Sequence, residues 1–169
     1  MTTSLEMFHD QLRQRFDDKL LSSALANDQV TLELEPKNLI EVCSALRDED
    51  AFQFSQLSDL CGLDYLTYGQ SDWETQDTTS TGFSRGVSVD SINENQNMHA
   101  RFCVVYHLLS VNYNRRLRVR CIIKEEPPRV TSVVSIWASA NWFEREAFDL
   151  FGILFDGHPD LRRILTDYG

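Results

Sequence analysis

Two runs decide the fold: Arg101-Phe-Cys-Val-Val-Tyr-His-Leu-Leu-Ser110 and Arg116-Leu-Arg-Val-Arg-Cys-Ile-Ile-Lys124. Both are dense in β-branched and aromatic residues, and Asn112, Tyr113 and Asn114 supply turn chemistry between them. The reading is an antiparallel β-hairpin. In its second strand Leu117, Val119, Cys121 and Ile123 share one face, which leaves Arg116, Arg118 and Arg120 in a row on the other. Three guanidinium groups on one sheet face fit either a dock for a carboxylate-bearing partner or a solvated surface.

Upstream of the hairpin, Leu5, Phe8, Leu12, Phe16 and Leu20 recur every three or four residues among charged neighbours. That spacing predicts an amphipathic first helix, ended by Asn27 and Asp28. Val30, Leu32 and Leu34 alternate with Thr31, Glu33 and Glu35 as in a half-exposed strand, closed by Pro36. A second helix follows with Leu39, Ile40, Cys43 and Leu46 on one face. A further strand is expected over Leu63 to Tyr68. Residues 70–98, rich in Ser, Thr, Asn and Gln with five acids and one Arg, read as a long, disordered polar insertion within a single domain spanning 1–169. Downstream, Pro127 and Pro128 break the sheet, and Thr131 to Ala140 is expected to hold a short helix plus a connection. This order describes an α+β domain, a small mainly antiparallel sheet with helices packed on one face, followed by a helical and extended C-terminal segment.

Composition narrows the function classes. At 169 residues with 42% hydrophobic content the chain can bury a real core without metal or disulfide support. A formal charge of -10 argues against nucleic acid, whose binding rests on a basic field. No apolar run approaches the roughly 20 residues that cross a bilayer, and the N-terminus lacks a signal peptide's order. The expectation is a cytosolic chain, or one held at a membrane only by partners. Cys43, Cys61, Cys103 and Cys121 include no closely spaced pair, so no cluster or zinc site is expected; Cys103 and Cys121, which could face one another across the hairpin, read instead as buried free thiols.

The most informative stretch runs from Asn141 to Leu165. A helix is predicted from Trp142 to Phe151, with Asn141 as its cap, Glu144 at the capping-box position and Gly152 as the left-handed residue after its end. At 100° per residue Arg145, Asp149, Trp142 and Glu146 form one stripe, while Leu150, Phe143, Ala147 and Phe151 form the core side. Glu144, Glu146 and His158 are the residues that acid–base or metal chemistry in a stand-alone hydrolase or metal enzyme would use. Simpler readings account for the same residues: capping by Glu144, an ion pair between Arg145 and Asp149, and a His158 set by the Pro159 that follows it. Two acids at i and i+2 point to different helix faces. The four histidines, at 9, 99, 107 and 158, are far apart, and no phosphate loop, nucleophile elbow or zinc-protease pattern occurs.

At these residues the sequence resembles a family of bacterial NADH:quinone oxidoreductase (respiratory complex I) subunits, the bacterial counterparts of what is called the 30 kDa subunit in mitochondria. The family's signature runs Glu-Arg-Glu, two residues, an acid, two apolar residues, six more, His or Lys, three more, then Arg. Glu144, Arg145, Glu146, Asp149, Leu150, Phe151, His158 and Arg162 match every fixed position. Gly157-His158-Pro159, Asp64-Tyr65-Leu66 and Val105-Tyr106-His107-Leu108 also look like family usage. Relatives usually continue past Tyr168-Gly169, so the chain is expected to be a shortened form lacking part of the partner surface. The resemblance implies a peripheral-arm scaffold subunit on the cytoplasmic side of the inner membrane. It would hold no cofactor itself, in a proton-translocating complex that uses NADH, FMN, iron-sulfur clusters and quinone. Its partners would be the quinone-cavity (49 kDa-type) subunit and neighbouring iron-sulfur subunits. The polar stripe with its Trp, joined to the segment ending in Arg162-Arg163, suits docking, with Trp142, Arg145, Glu146, Asp149, His158 and Arg162 as candidate interface residues. The equivalent subunit of a membrane-bound energy-converting hydrogenase is the alternative.

Overall fold

The computed structural model describes residues 4–66 and 100–167. The expected disorder of residues 70–98 therefore falls outside the described residues.

Helix α1 (Ser4–Phe16) is followed by strands β1 (Leu20–Ala26) and β2 (Gln29–Leu34), helix α2 (Pro36–Asp48) and strand β3 (Gln56–Asp64). Then come β4 (Phe102–Ser110), β5 (Arg115–Ile123), β6 (Arg129–Thr131), α3 (Ala140–Phe151) and β7 (Leu154–Asp156). Five strands form one sheet in the order β1-β2-β5-β4-β3, antiparallel except for the β2–β5 pair. A two-stranded parallel sheet joins β6 to β7. The α+β architecture expected from the sequence is present.

The hairpin forms as read, with His107 opposite Arg118 and Tyr106 opposite Val119. Leu117, Val119, Cys121 and Ile123 are buried, and so are Val30, Leu32 and Leu34 on β2. They meet Phe8, Leu12 and Phe16 of α1 and Leu39, Val42, Cys43 and Leu46 of α2 in one core. A fully buried Leu or Phe side chain contributes about 1.5–3 kcal/mol, so this shared face dominates the stability.

Three expectations need correction. The first helix ends at Phe16, and Leu20–Ala26 forms the edge strand β1. Asn27 and Asp28 do not end a helix: with φ of 51° and 57° they make the two-residue hairpin turn whose twist matches the strands, closed by the Ala26–Gln29 pair. The strand expected at Leu63–Tyr68 runs instead over Gln56–Asp64, and Tyr68 lies outside the described residues. A register irregularity between Leu57 and Asp59 lets Leu57 and Leu60 both point inward, which erases the period-two signal. Finally, 131–140 holds no helix before Ala140: after Thr131, the last residue of β6, come turns in which Ile136 and Trp137 both donate to the Val133 carbonyl. The buried Trp137 anchors that stretch through Nε1–H to the Phe54 carbonyl at 3.0 Å.

Gly62 sets how α3 rides on β3. A Cβ there would stand 2.6 Å from Phe151 Cδ2 and 3.1 Å from Ile153 Cδ1, so the absence of a side chain admits the end of α3.

Candidate functional site in helix α3 and the segment after it

Helix α3 begins at Ala140, two residues earlier than expected, and no side chain caps it at Ser139. The capping box does not form, because Asn141 and Glu144 lie inside the helix and are used elsewhere. Glu144 is fully buried; Oε2 accepts the Ser132 hydroxyl at 2.6 Å and Oε1 accepts the Val133 amide at 2.7 Å. It ties α3 to the chain just after β6. Burial pushes its carboxyl up to about 7, against the two hydrogen bonds, which favour the charged form. The Asn141 carbonyl accepts from His158, while its Oδ1 is buried without a partner.

With Glu144 inward, the helix is rotated from the expected orientation. Ala140, Glu144 and Ala147 face the core, flanked by the partly buried Phe148 and Phe151. Leu150, assigned to the core side from periodicity, is 51% exposed. A hydrophobicity pattern scores Glu as polar, yet a carboxylate that finds two donors can occupy a core position.

The expected ion pair between Arg145 and Asp149 is also absent, since both side chains hold the returning segment 161–166. Arg145 is only 4% exposed; it stacks over Trp142, 5.1 Å from the ring centroid, and donates from Nε to the Arg162 carbonyl at 3.2 Å. Asp149 accepts the amides of Ile164, Leu165 and Thr166 at 3.0, 2.7 and 2.9 Å, and the Thr166 hydroxyl. These donors hold its carboxyl well below the ordinary carboxylate range. The arrangement works like a helix N-terminus closing on an anion, with three successive N–H groups on one oxygen.

His158 fastens the loop after β7. Its Nδ1 accepts the Asp160 amide at 3.0 Å, so Nε2 carries the proton it donates to the Asn141 carbonyl at 3.1 Å. Arg162 pairs with Asp160 at 2.8 Å on the surface. Gly152 has a φ of 70° and donates to the Phe148 carbonyl, closing the helix in the left-handed conformation. Trp142, Arg145, Asp149 and Arg162 are thus brought together, and His158 meets Asn141 at the other end. Glu146 is exposed while Glu144 is buried, which separates the two acids that an acid–base pair would need. Sequence reasoning missed Ser132 and Val133 as the partners of Glu144, and missed the exposure of Leu150 and Leu165; nothing in local spacing signals either.

The family model of the respiratory-chain NADH dehydrogenase 30 kDa subunit matches residues 32–169. The chain belongs to this family. It is 51% identical over 163 residues to the C subunit of NADH-quinone oxidoreductase from Coxiella burnetii (strain RSA 493 / Nine Mile phase I), covering 95% of this chain and 71% of the relative. It is 51% identical over 167 residues to the same subunit of Legionella pneumophila (strain Paris), covering 99% and 74%. Among solved structures, a trypsin-resistant fragment of Nqo5 superimposes with a TM-score of 0.63 at 30% identity, over 94% of this chain and 100% of the fragment. An archaeal membrane-bound sulfane sulfur reductase complex shares the fold, with a TM-score of 0.65 at 15% identity over 96% of this chain and 78% of that one. As a member of the 30 kDa family the chain is a subunit of NADH-quinone oxidoreductase, and other subunits of that complex are its partners. Among the described residues no helix is long and apolar enough to cross a membrane.

Proposed function

We propose that the chain is a scaffold subunit that binds no cofactor and docks through the outer face of α3 and the segment packed beside it. The observation that carries this reading is the exposure of Trp142 at 61%, Leu150 at 51% and Leu165 at 60%, with Glu146, on a frame held by Arg145 and Asp149. Large apolar side chains are rarely left clustered in water without a partner, and Trp beside Arg is a common interface anchor. Trp142, Glu146 and Arg162 present themselves directly; Arg145, Asp149 and His158 shape the surface from behind. The partners in this reading are the quinone-cavity subunit of the 49 kDa type and the neighbouring iron-sulfur subunits, on the cytoplasmic side of the inner membrane. NADH oxidation, quinone reduction and proton translocation belong to the assembled complex, and the isolated chain is inactive.

The test pairs two measurements on Leu150→Ser and Glu146→Lys. Thermal unfolding of the purified variants should stay within about 0.5 kcal/mol of the parent, as for exposed positions generally. Recovery of assembled complex from membranes should fall about tenfold or more, the equivalent of one interface hot spot. Unchanged assembly and NADH:quinone activity in both variants would sink the reading.

A further inference from the structure

On the sheet face turned away from the helices, Thr31, Cys61, Leu63, Val105, His107 and Arg118 are among the residues lining a concave cleft of about 660 Å³. Two of the three arginines in the row read from the sequence, Arg118 and Arg120, line it, and they are not equally engaged. Arg120 is neutralised by Glu33 and also donates to the Tyr65 hydroxyl at 2.7 Å. Asp64, at the rim, is taken by Arg101 at 2.7 Å. Arg118 donates to Gln29 Oε1 at 2.7 Å, an uncharged amide, and among the described residues no carboxylate lies within ion-pair distance of it or of the exposed Arg116. Opposite Arg118 on β4 stands His107, which burial and the neighbouring guanidinium hold below the usual histidine pKa, so it adds no second charge at neutral pH. Asp59, its neighbour on β3, is exposed at the far side of the row.

A half-buried guanidinium bound only to an amide, in a protein of net charge -10, is an unfilled seat for a carboxylate. The wall beside it, Cys61, Leu63 and Val105, is apolar. We infer that this cleft is a second docking surface, and that its occupant is an Asp or Glu flanked by apolar residues on another subunit of the NADH-quinone oxidoreductase complex. The inference rests on the reading of the chain as an assembly subunit. It concerns the opposite face of the sheet from α3, so the chain is gripped from both sides.

Cys61 is a built-in reporter, because it lines the cleft while Cys43, Cys103 and Cys121 are buried. N-ethylmaleimide labelling of Cys61, read by mass spectrometry, is compared between the purified full chain and the complex assembled in membranes. Labelling in the complex is expected to be at least about tenfold slower, with protection kept in Arg118→Lys and lost in Arg118→Glu and Arg118→Gln, each first checked for unchanged melting. A benzoylphenylalanine at position 116 should cross-link to an acidic peptide of a different subunit. Equal labelling in chain and complex overturns the inference, as does a cross-link to residues 67–99 of the same chain or to a second copy. If the parent chain copurifies with no other subunit, both readings fall; if assembly is intact and Cys61 stays reactive, only this one does.

Discussion

Glu144, buried and bonded to Ser132 and Val133, couples the fold to pH. The folded protein holds its proton up to about 7, whereas an unfolded chain releases it near the ordinary value of 4.5, so the folded state binds more protons between those limits. Stability therefore falls as pH rises from about 4.5 to 7, by roughly 3 kcal/mol, since each pH unit of that window is worth about 1.4 kcal/mol. Glu144→Gln can accept the Val133 amide on its oxygen and donate from its NH2 to the Ser132 hydroxyl, reversing that bond, without the charge, and should flatten this slope when melting is followed from pH 4.5 to 7.5. Glu144→Ala strands the Val133 amide and the Ser132 hydroxyl in the core, and should cost about 2–4 kcal/mol by denaturant titration at pH 6. Equal slopes in parent and Gln variant would mean that the buried carboxyl titrates normally. Its place in a Glu-Arg-Glu run is visible in the sequence, but its role is not: both of its donors lie just after β6, 11–12 residues upstream, and only the packing of β6 against β7 brings them to α3.

At the scale of elements, two joints control how α3 is presented. Gly62 is one, since any side chain there meets the Phe151 ring and Ile153. Gly62→Val should destabilise the chain by about 1–3 kcal/mol or more through overpacking, seen as a lowered melting temperature. Arg145 is the other. Its burial reverses the sequence expectation of a free docking side chain, and Arg145→Ala should cost about 1–2 kcal/mol and raise amide exchange at Ile164, Leu165 and Thr166. Unaltered exchange there would show that Asp149 alone holds the segment. The β1–β2 turn offers a gain instead: Asp28→Gly suits a φ of 57° better than Asp does and should stabilise the hairpin by up to about 1 kcal/mol, measured as a higher melting temperature.

For the whole molecule, carboxylates of opposite sense define the pH window. Glu35, lowered to about 2 by Lys37 and Lys124, and Asp149, Asp64 and Asp160, lowered by their donors, support the fold above about pH 4 and lose that support as pH falls. Glu144 acts in the opposite direction above about 4.5. The isolated chain is accordingly expected to be most stable in mildly acidic solution, with melting temperature declining on both sides. A maximum above pH 7 would contradict this. In the complex the two proposed docking faces, α3 outside and the arginine cleft on the reverse of the sheet, would add partner binding to that stability.

By itself the sequence determined the elements whose signal is local: the β4–β5 hairpin, the β2 alternation, the apolar stripes of α1 and α2, and Gly152 at the end of α3. It determined the family as well, because the spacing of Glu144, Arg145, Glu146, Asp149, His158 and Arg162 is a property of the chain alone. Tertiary structure decided what those residues do. Strand β1 exists because a turn at Asn27 and Asp28 folds Leu20–Ala26 back on β2, and Glu144 is a buried tie because Ser132 and Val133 arrive beside it. Arg145 and Asp149 face a returning backbone instead of each other. In each case the deciding contact joins residues distant along the chain, and side-chain periodicity carries no information about which segment will come to lie against a given face.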